Sequence, residues 1–155
     1  MEKSITTALL LIASVIAALA LTNAVIPAMG KSASALATAN SQTADRIKTD
    51  IEIIHATGDD PGDVITVWVK NVGSKVIKPV DSSHIILTTP TTVLSLPYVS
   101  GCSSGCWDYS LEGGASEWTQ SVTVKFTLKT SVTTGLYTVI LSSPNAASAS
   151  KDFSV

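Results

Sequence analysis

The first thirty residues constrain this chain more than any other part of it. Residues 4–30 carry no charged side chain and consist mainly of Ala, Leu, Ile and Val, whereas Glu2 and Lys3 precede them and Lys31 follows. About 20 consecutive apolar residues in a helix are enough to cross the hydrocarbon core of a bilayer. A helix that is apolar on all sides must be covered by lipid or by other helices. We therefore expect the chain to belong to an assembly at a membrane.

The composition of the remaining chain narrows the class of protein. Charged residues make up only 14% of the sequence, and the formal net charge is −2. This balance provides no strongly basic surface, so we expect no nucleic-acid partner. After residue 50, β-branched runs interrupted by Gly, Pro and Asp replace the Ala- and Leu-rich sequence. We predict an α+β protein with a hydrophobic assembly or transmembrane helix over residues 1–48 and an extracellular β-domain over residues 49–155.

The predicted helix runs from Lys3 to about Lys48, a length of roughly 70 Å at about 1.5 Å per residue. Pro27 removes one backbone hydrogen bond and is expected to kink the helix between residues 23 and 30. Small side chains favour close helix–helix contact, and the polar Asn23 needs a hydrogen-bond partner that a neighbouring helix can supply. The residues expected to form the packed face of the helix are Ile5, Leu9, Ile12, Ala13, Ile16, Ala17, Ala20, Asn23 and Pro27.

The apolar segment allows three interpretations. A cleaved secretory signal peptide needs a basic start and a short apolar core, and the apolar run is too long for that. A monomeric membrane anchor is the second interpretation. The third is a helix that passes through the membrane before it is built into an assembly. We expect the β-domain to lie outside the cell, because of its cysteines and its Ser- and Thr-rich surface.

Short strand signals separated by turn clusters follow the helix. We predict strands at residues 50–55, 64–71, 75–78, 84–89, 93–99, 117–129, 136–142 and 151–155. In residues 64–71 apolar and polar side chains alternate, as in a strand with one buried face. Several short strands with regular turns indicate an antiparallel immunoglobulin-like sandwich, although the Cys–Trp–Cys spacing of immunoglobulin domains is absent.

Few residues of the β-domain suggest chemistry. We expect a disulfide between Cys102 and Cys106, because an exported domain meets an oxidising environment. A metal site would need further ligands, and His55 and His84 are isolated in the sequence. The sequence contains no phosphate-binding loop, dinucleotide-binding motif or recognisable catalytic triad. We therefore expect no enzyme activity and no cofactor.

Two surface features allow more than one interpretation. The acidic turn at residues 59–63 either holds a calcium ion or is simply solvated. Trp107, Tyr109 and Trp118 either pack the disulfide loop onto the sandwich or contribute to a contact between subunits.

An apolar N-terminal helix that continues directly into a β-sandwich resembles the archaellum subunit family. This type IV pilin-like family comprises the archaellins and the archaeal flagellar proteins F and G. The resemblance is strongest in residues 4–27 (SITTALLLIASVIAALALTNAVIP), 41–54 (SQTADRIKTDIEII) and 67–73 (VWVKNVG), which look most similar to the protein G branch. It implies a structural subunit of an extracellular motility filament, in which helices pack in the core and β-domains form the outer shell.

The resemblance also implies partners. These are other copies of the chain and the motor and platform membrane proteins of the archaellum, with envelope (S-layer) proteins as a further candidate. An alternative within the same family is a membrane-anchored stator or envelope component that grips the envelope through its β-domain. A third interpretation is an anchored binding protein with a ligand surface near Trp107 and Trp118. Family members usually carry a short basic leader that ends in Gly, whereas only Met1, Glu2 and Lys3 precede the apolar run in this sequence. We therefore expect either cleavage just after Lys3 or use of the unprocessed chain.

Overall fold

A computed structural model describes residues 2–155 of the chain. Its contacts divide the chain into two compact units, Met1–Thr43 and Ala44–Val155. The first unit is helical, and the second contains the last turn of the helix and two β-sheets. The division falls about one turn before residue 48, where we predicted the boundary, because the last helical turn forms hydrogen bonds with the β-domain.

A single helix, α1, covers Glu2–Lys48. The helical backbone continues through Pro27, so the bend expected between residues 23 and 30 is not a break in the helix. Arg46 and Lys48 lie in the last turn, where positive charge complements the helix dipole.

The second unit is a sandwich of two four-stranded antiparallel sheets. In spatial order, sheet A consists of β1 (Ile51–Asp59), β2 (Val64–Asn71), β6 (Thr123–Lys129) and β5 (Cys106–Leu111). Sheet B consists of β4 (Val93–Leu96), β3 (His84–Thr88), β7 (Leu136–Ser142) and β8 (Ser148–Ser154). Two single turns of 3-10 helix, Val80–Ser82 and Glu112–Gly114, lie in the connections. This architecture agrees with the predicted α+β fold.

Sequence periodicity predicts several strands well. The predictions for β2 and β7 match their observed bounds, and β3 ends one residue early. The alternation in β2 appears as alternating burial, with Ile65, Val67 and Val69 fully buried and the residues between them partly exposed. The apolar side chains that face the core therefore identify these strands.

Other strand predictions are wrong in part. Residues 75–78 form no strand, and only Ile77 makes an isolated bridge, to Trp118. Strand β6 begins at Thr123 rather than at residue 117, and β4 ends at Leu96 rather than at residue 99. Strands β1 and β8 are longer than predicted, because the polar residues at their ends continue the pairing with a neighbouring strand.

Strand β5 is absent from the sequence prediction. Trp107, Tyr109 and Leu111 alternate with Asp108 and Ser110, which is the pattern of a strand with one inward face. The sequence analysis predicted no strand here and left two roles open for Trp107 and Tyr109, packing of the disulfide loop or a subunit contact. The alternation was therefore available in the sequence, and its inward side chains are the aromatic residues themselves.

The core lies between the two sheets. Its largest fully buried side chains are Trp107, Trp118, Tyr137 and Phe126. The hydroxyl of Tyr137 donates to the carbonyl oxygen of Thr133 at 2.9 Å, and the Thr133 N–H donates to that hydroxyl at 2.9 Å. A tyrosine near a strand start that bonds back to the preceding turn is similar to the tyrosine corner of immunoglobulin-like sandwiches.

Candidate assembly surfaces

The apolar part of α1 has no partner within the chain. Ile5, Leu9, Ile12 and Ile16 of the predicted packed face are 58–61% exposed. The helix is long and apolar enough to cross a membrane, and none of its apolar window is buried within the described part of the chain. Such a surface is not stable in water, so it needs lipid or other helices around it.

The predicted packed face is one side of a helix that is apolar all round. At 100° per residue the nine predicted residues, including Ala13, Ala17, Ala20, Asn23 and Pro27, fall on one side of α1. Leu11 and Val15 project from the opposite side and are 62% and 56% exposed. Contact through a single narrow stripe would leave these residues uncovered. We infer that the uncharged part of α1, residues 4–30, requires an apolar environment on all sides.

Polar side chains within the apolar segment differ in how they are satisfied. The hydroxyls of Ser14 and Thr22 donate to the carbonyl oxygens of Leu11 and Ala18 on the same helix, each at 2.8 Å. The side-chain amide of Asn23 has no hydrogen-bond partner among residues 2–155. An amide in apolar surroundings needs such a partner, as the sequence analysis expected.

A second candidate surface is the junction between the last turn of α1 and the turn after β2, which is called the joint below. The backbone N–H groups of Ser74 and Lys75 donate to the carbonyl oxygen of Lys48 at 2.9 and 3.1 Å. The ammonium group of Lys75 contacts the carboxylate of Asp45 at 2.8 Å. The turn after β2 thus satisfies a carbonyl that the helix terminus leaves free.

Asn71 holds this joint together. Its side chain is fully buried, and its amide donates to the carbonyl oxygens of Lys75 (2.8 Å) and Trp118 (3.0 Å). Its side-chain oxygen accepts a hydrogen bond from the N–H of Gly73 at 3.0 Å. A side chain at residue 73 would collide with the Lys48 carbonyl oxygen, so this position requires glycine. These contacts explain the VWVKNVG segment physically.

The disulfide loop is held by hydrogen bonds at both ends, from the N–H of Gly101 to the carboxylate of Asp108 and from the N–H of Gly105 to the carbonyl oxygen of Lys129. Cys102 and Cys106 form a disulfide, and both cysteines are buried. The ring centroids of Trp107 and Trp118 lie 5.5 and 5.8 Å from that of Phe126. Both tryptophans are 0% exposed, so neither has surface for a subunit contact or for a ligand. Of the two roles left open for them, their full burial and their contacts with Phe126 favour packing within the sandwich.

Tyr109 differs from the two tryptophans because it is only partly buried. Burial raises the pKa of its phenol above the ordinary value, and the charges of Tyr98, Asp81 and Asp108 raise this pKa further. The phenol is therefore neutral and able to donate a hydrogen bond at neutral pH.

The outer face of sheet A carries a residue that sequence reasoning passed over. Trp68 is only partly buried there, and its ring centroid lies 5.4 Å from that of His55. Lys125 lies directly opposite Trp68 in the strand register, and Lys129 is on the same face of β6. Neither lysine forms an ion pair within residues 2–155. The position of Trp68 between Thr66 and Lys70 was the available signal, because it placed the indole on the polar side of the strand.

The outer face of sheet B has a different character. Its side chains are mostly Ser, Thr and aliphatic, and Val93 and Leu136 are 63% and 65% exposed. Asp152 is the acidic residue on this face of the four strands, and its carboxylate accepts a hydrogen bond from the hydroxyl of Thr138 at 2.7 Å. The ammonium of Lys151 donates to the carbonyl oxygen of Ile54 at 3.0 Å and so covers the irregular part of β1.

The residues considered for metal binding are dispersed. No group of three or more potential metal-binding side chains occurs in the part of the chain that the structure describes. In the acidic turn, the carboxylate of Asp63 accepts a hydrogen bond from the N–H of Val132 at 2.9 Å. Asp59 and Asp60 are exposed. The turn is therefore a solvated loop fixed through Asp63.

Comparison with known proteins covers nearly the whole chain. Residues 2–153 match the family described as archaeal-type flagellin. An uncharacterized protein of Archaeoglobus fulgidus is 31% identical over 130 residues, which cover 80% of this chain and 78% of that protein.

Solved structures resemble the fold at low sequence identity. The archaellum periplasmic stator protein FlaG of Sulfolobus acidocaldarius has a TM-score of 0.56 and 21% identity, covering 68% of this chain and 99% of that one. The complex of FlaF and FlaG from the same organism gives 0.57 and 22%, covering 68% and 89%. The archaeal flagellin FlaB1 of Methanocaldococcus jannaschii gives 0.57 and 13%, covering 69% and 90%.

Proposed function

Because this chain belongs to the archaeal-type flagellin family, we propose that it is a structural subunit of an archaellum-like filament. In this proposal α1 packs with the helices of other copies in the filament core, and the β-domains form the outer shell. The family match and the structural neighbours indicate a protein that is related to the archaellum and associated with the cell surface. Archaeal flagellins and stator proteins are structural proteins rather than enzymes.

The observation that carries the proposal is that the apolar surface of α1 is exposed although the β-sandwich is complete. The sandwich buries its own core, whereas none of the apolar window of α1 is buried. Burial of apolar surface from water stabilises by about 25 cal/mol per Å². A helix that leaves the bilayer therefore needs neighbouring helices to cover it, and other copies of α1 supply a matching surface.

The direct test is to shear filaments from cells that produce this chain and to identify their main component by mass spectrometry. The proposal predicts that this chain is the bulk protein of the filament, and its N-terminal residue can be read from the same spectra. Recovery of the chain in the membrane fraction alone would contradict a filament subunit.

Bulky substitutions in α1 test the mode of packing. Ala13→Trp and Ala17→Trp should abolish filaments, because each places a large side chain where helices approach closely. Ser148→Trp adds the same bulk on the exposed face of β8 and is the matched control, which should retain filaments. Normal filaments from both helix variants would refute packing through this face.

A second candidate function is a membrane-anchored stator or envelope component. It is favoured by the VWVKNVG segment, which resembles the protein G branch, and by 21% identity to FlaG against 13% to FlaB1. In this case α1 stays in the membrane and the β-domain contacts other archaellum proteins or the envelope. Sheared filaments would then lack the chain, and chemical crosslinking of intact cells would join the β-domain to an envelope protein.

A further inference from the structure

A hollow lies at the β4 edge of sheet B, where the turn Val80–Ser82 leads into β3. It is called the Ser83 hollow below. Its volume is about 320 Å³, and pockets of roughly 300–1,000 Å³ hold small molecules in other proteins. Its lining combines polar side chains with an apolar wall, and includes Asp81, Ser83, His84, Ser95, Pro97 and Tyr98.

Ser83 has an unmet need for a hydrogen bond at this hollow. The residue is only 4% exposed, and its hydroxyl has no hydrogen-bond partner within the described residues 2–155. A buried polar group without a partner is costly, and in native proteins it commonly marks a place for a water, an ion or a ligand. A polar group seated in the hollow is therefore a source of the partner that the chain does not supply.

The other polar groups of the lining are also free. The carboxylate of Asp81 forms no ion pair within the described residues, and its one hydrogen bond, from the hydroxyl of Ser82, is long at 3.4 Å. The side chains of His84 and Ser95 and the phenol of Tyr98 form no hydrogen bond with residues 2–155. No lysine or arginine lines the hollow. Its charge is thus a single carboxylate, which disfavours an anion.

Tyr98 supplies a fixed aromatic wall. Its ring centroid lies 5.0 Å from that of Trp107 and 5.7 Å from that of Tyr109, and its backbone forms a bridge with Trp107. Trp107 is fully buried, whereas Tyr98 is only partly buried and keeps surface at the hollow. The face of an aromatic ring is apolar and carries partial negative charge, so it attracts polarised C–H groups.

These groups together indicate the class of ligand. A simple cation would use the acceptors and leave the hydroxyl hydrogens unused, and no group of three metal-binding side chains occurs in the described part of the chain. A sugar ring carries hydroxyls that both donate and accept, and it also presents a face of C–H groups. We propose that the Ser83 hollow binds one neutral sugar unit, with its ring against Tyr98 and its hydroxyls bonded to Asp81 and Ser83.

Saturation-transfer NMR on the full-length chain tests this proposal. The chain is kept in a polyoxyethylene detergent, which carries neither a sugar nor a charge. The probes are the methyl glycosides of glucose, mannose, galactose and N-acetylglucosamine, beside the charged ligands glucuronate and tetramethylammonium. We expect transfer to the C–H protons of at least one neutral glycoside, with a Kd on the order of 1 mM for a single ring. Absence of transfer to all four glycosides would overturn the proposal.

Matched substitutions locate the site. Asp81→Asn should weaken binding of the glycoside about tenfold, and Ser83→Ala about fivefold, because hydrogen bonds to a charged group are the stronger ones. Asp59→Asn changes an exposed carboxylate elsewhere, and Ser143→Ala removes the hydroxyl of a serine that is equally buried and unpaired. Both controls should keep the Kd, and melting temperatures check the fold of all four variants. Unchanged binding in both hollow variants would overturn the assigned site.

The charged probes test the class of ligand. Tetramethylammonium binding that is lost in Asp81→Asn, without binding of any glycoside, would assign the hollow to a cation instead. Binding of glucuronate more tightly than the neutral glycosides would contradict the role given to Asp81.

A glycan array distinguishes the two sources of the same sugar. Tighter binding to immobilised glycans that end in the preferred sugar than to the free glycoside would identify a glycan end as the ligand, whereas equal affinity would identify the free sugar. The hollow lies wholly within the β-domain. Failure of sugar binding would therefore leave filament assembly, and the function proposed above, untouched.

Discussion

Both parts of this molecule are rich in apolar residues, but they differ in whether the chain itself buries them. The β-domain folds its apolar side chains into one core, in which Trp107, Trp118 and Phe126 are 0% exposed. The apolar part of α1 leaves its side chains outside, with Leu10 71% exposed. Alternation with period two gives a strand one buried face, whereas a helix that is apolar all round has no side for water. The first pattern makes a domain, and the second requires an assembly.

The joint, formed by the last turn of α1 and the turn after β2, lies within the second unit, Ala44–Val155. Hydrogen bonds define its geometry, with Asn71 bonded to three backbone groups. A buried polar network of this kind specifies one geometry, because any displacement leaves polar groups unsatisfied. The joint thus gives the last turn of α1 a defined place on the β-domain.

Damage to the core of the β-domain should have the largest effect on its stability. Trp118→Ala should lower the free energy of unfolding by about 3–5 kcal/mol, because it removes a fully buried aromatic side chain. Trp68→Ala is the matched control on the outer face and should have a clearly smaller effect. Denaturant unfolding followed by circular dichroism measures both. Equal losses in the two variants would mean that the core and the outer face are not distinct.

A charge in the middle of the apolar helix should prevent assembly but leave the stability of the β-domain unchanged. Ile16→Asp places a carboxylate in the apolar segment, which costs about 2.5–3.5 kcal/mol on membrane-insertion scales. We expect assembly to be lost while the β-domain keeps its melting temperature. Ile16→Leu is the control with retained assembly. A fall in the melting temperature of the β-domain would show that the two parts depend on each other.

The joint can be weakened without touching the core. Asn71→Ala leaves the carbonyl oxygens of Lys75 and Trp118 and the N–H of Gly73 without their partner, at a cost of about 2–3 kcal/mol. Asn40→Ala, on the exposed part of α1, should change the unfolding free energy little. Hydrogen exchange should show increased opening at residues 44–49 and 72–75 in the first variant. Unchanged protection there would argue against the role assigned to Asn71.

The disulfide should contribute less to the free energy of unfolding than Asn71, because the loop that it closes is short. Cys102→Ser combined with Cys106→Ser should reduce the unfolding free energy by about 2 kcal/mol in the chain-entropy account. Both residues are buried in the β-domain, so assembly through α1 should persist. Thermal unfolding with and without reductant checks the wild-type chain. Insensitivity of the melting temperature to reductant would contradict a stabilising role of the disulfide.

The smallest expected effect is the titration of Tyr109. Its pKa is raised above the ordinary 10.0, chiefly by burial, so the folded state holds this proton more firmly than the unfolded state. The stabilising contribution is complete below pH 10 and is lost as the pH rises through the folded-state pKa. Ultraviolet titration of the wild type and of Tyr109→Phe isolates this phenol. A Tyr109 signal that titrates below pH 10 would contradict the assigned cause.

Features with a strong period could be predicted from the sequence. The uncharged apolar run over residues 4–30 and its Ala-rich continuation predicted α1, and the alternation in Val64–Asn71 predicted β2 and its buried face. These signals are local and depend on side-chain burial alone.

Features that depend on contacts distant in sequence could not be read in this way. Residues 75–78 were predicted as a strand, because the hydrogen bonds that tie Ser74 and Lys75 to Lys48 are not visible in the sequence. The place of β5 at the edge of sheet A likewise depends on its pairing with β6, which the local sequence does not show. The burial of Trp118 likewise depends on its contact with Phe126.

Photocrosslinking from the middle of α1 tests the central claim most directly. A benzophenone amino acid placed at residue 17 in assembled full-length chains should form crosslinks to α1 of another copy, located by mass spectrometry. The same group at residue 148 on β8 is the control and should not reach any helix. Crosslinks from residue 17 to helix residues 4–30 of another copy are the predicted result. Crosslinks from residue 17 to lipid alone, in material that remains assembled, would contradict the account.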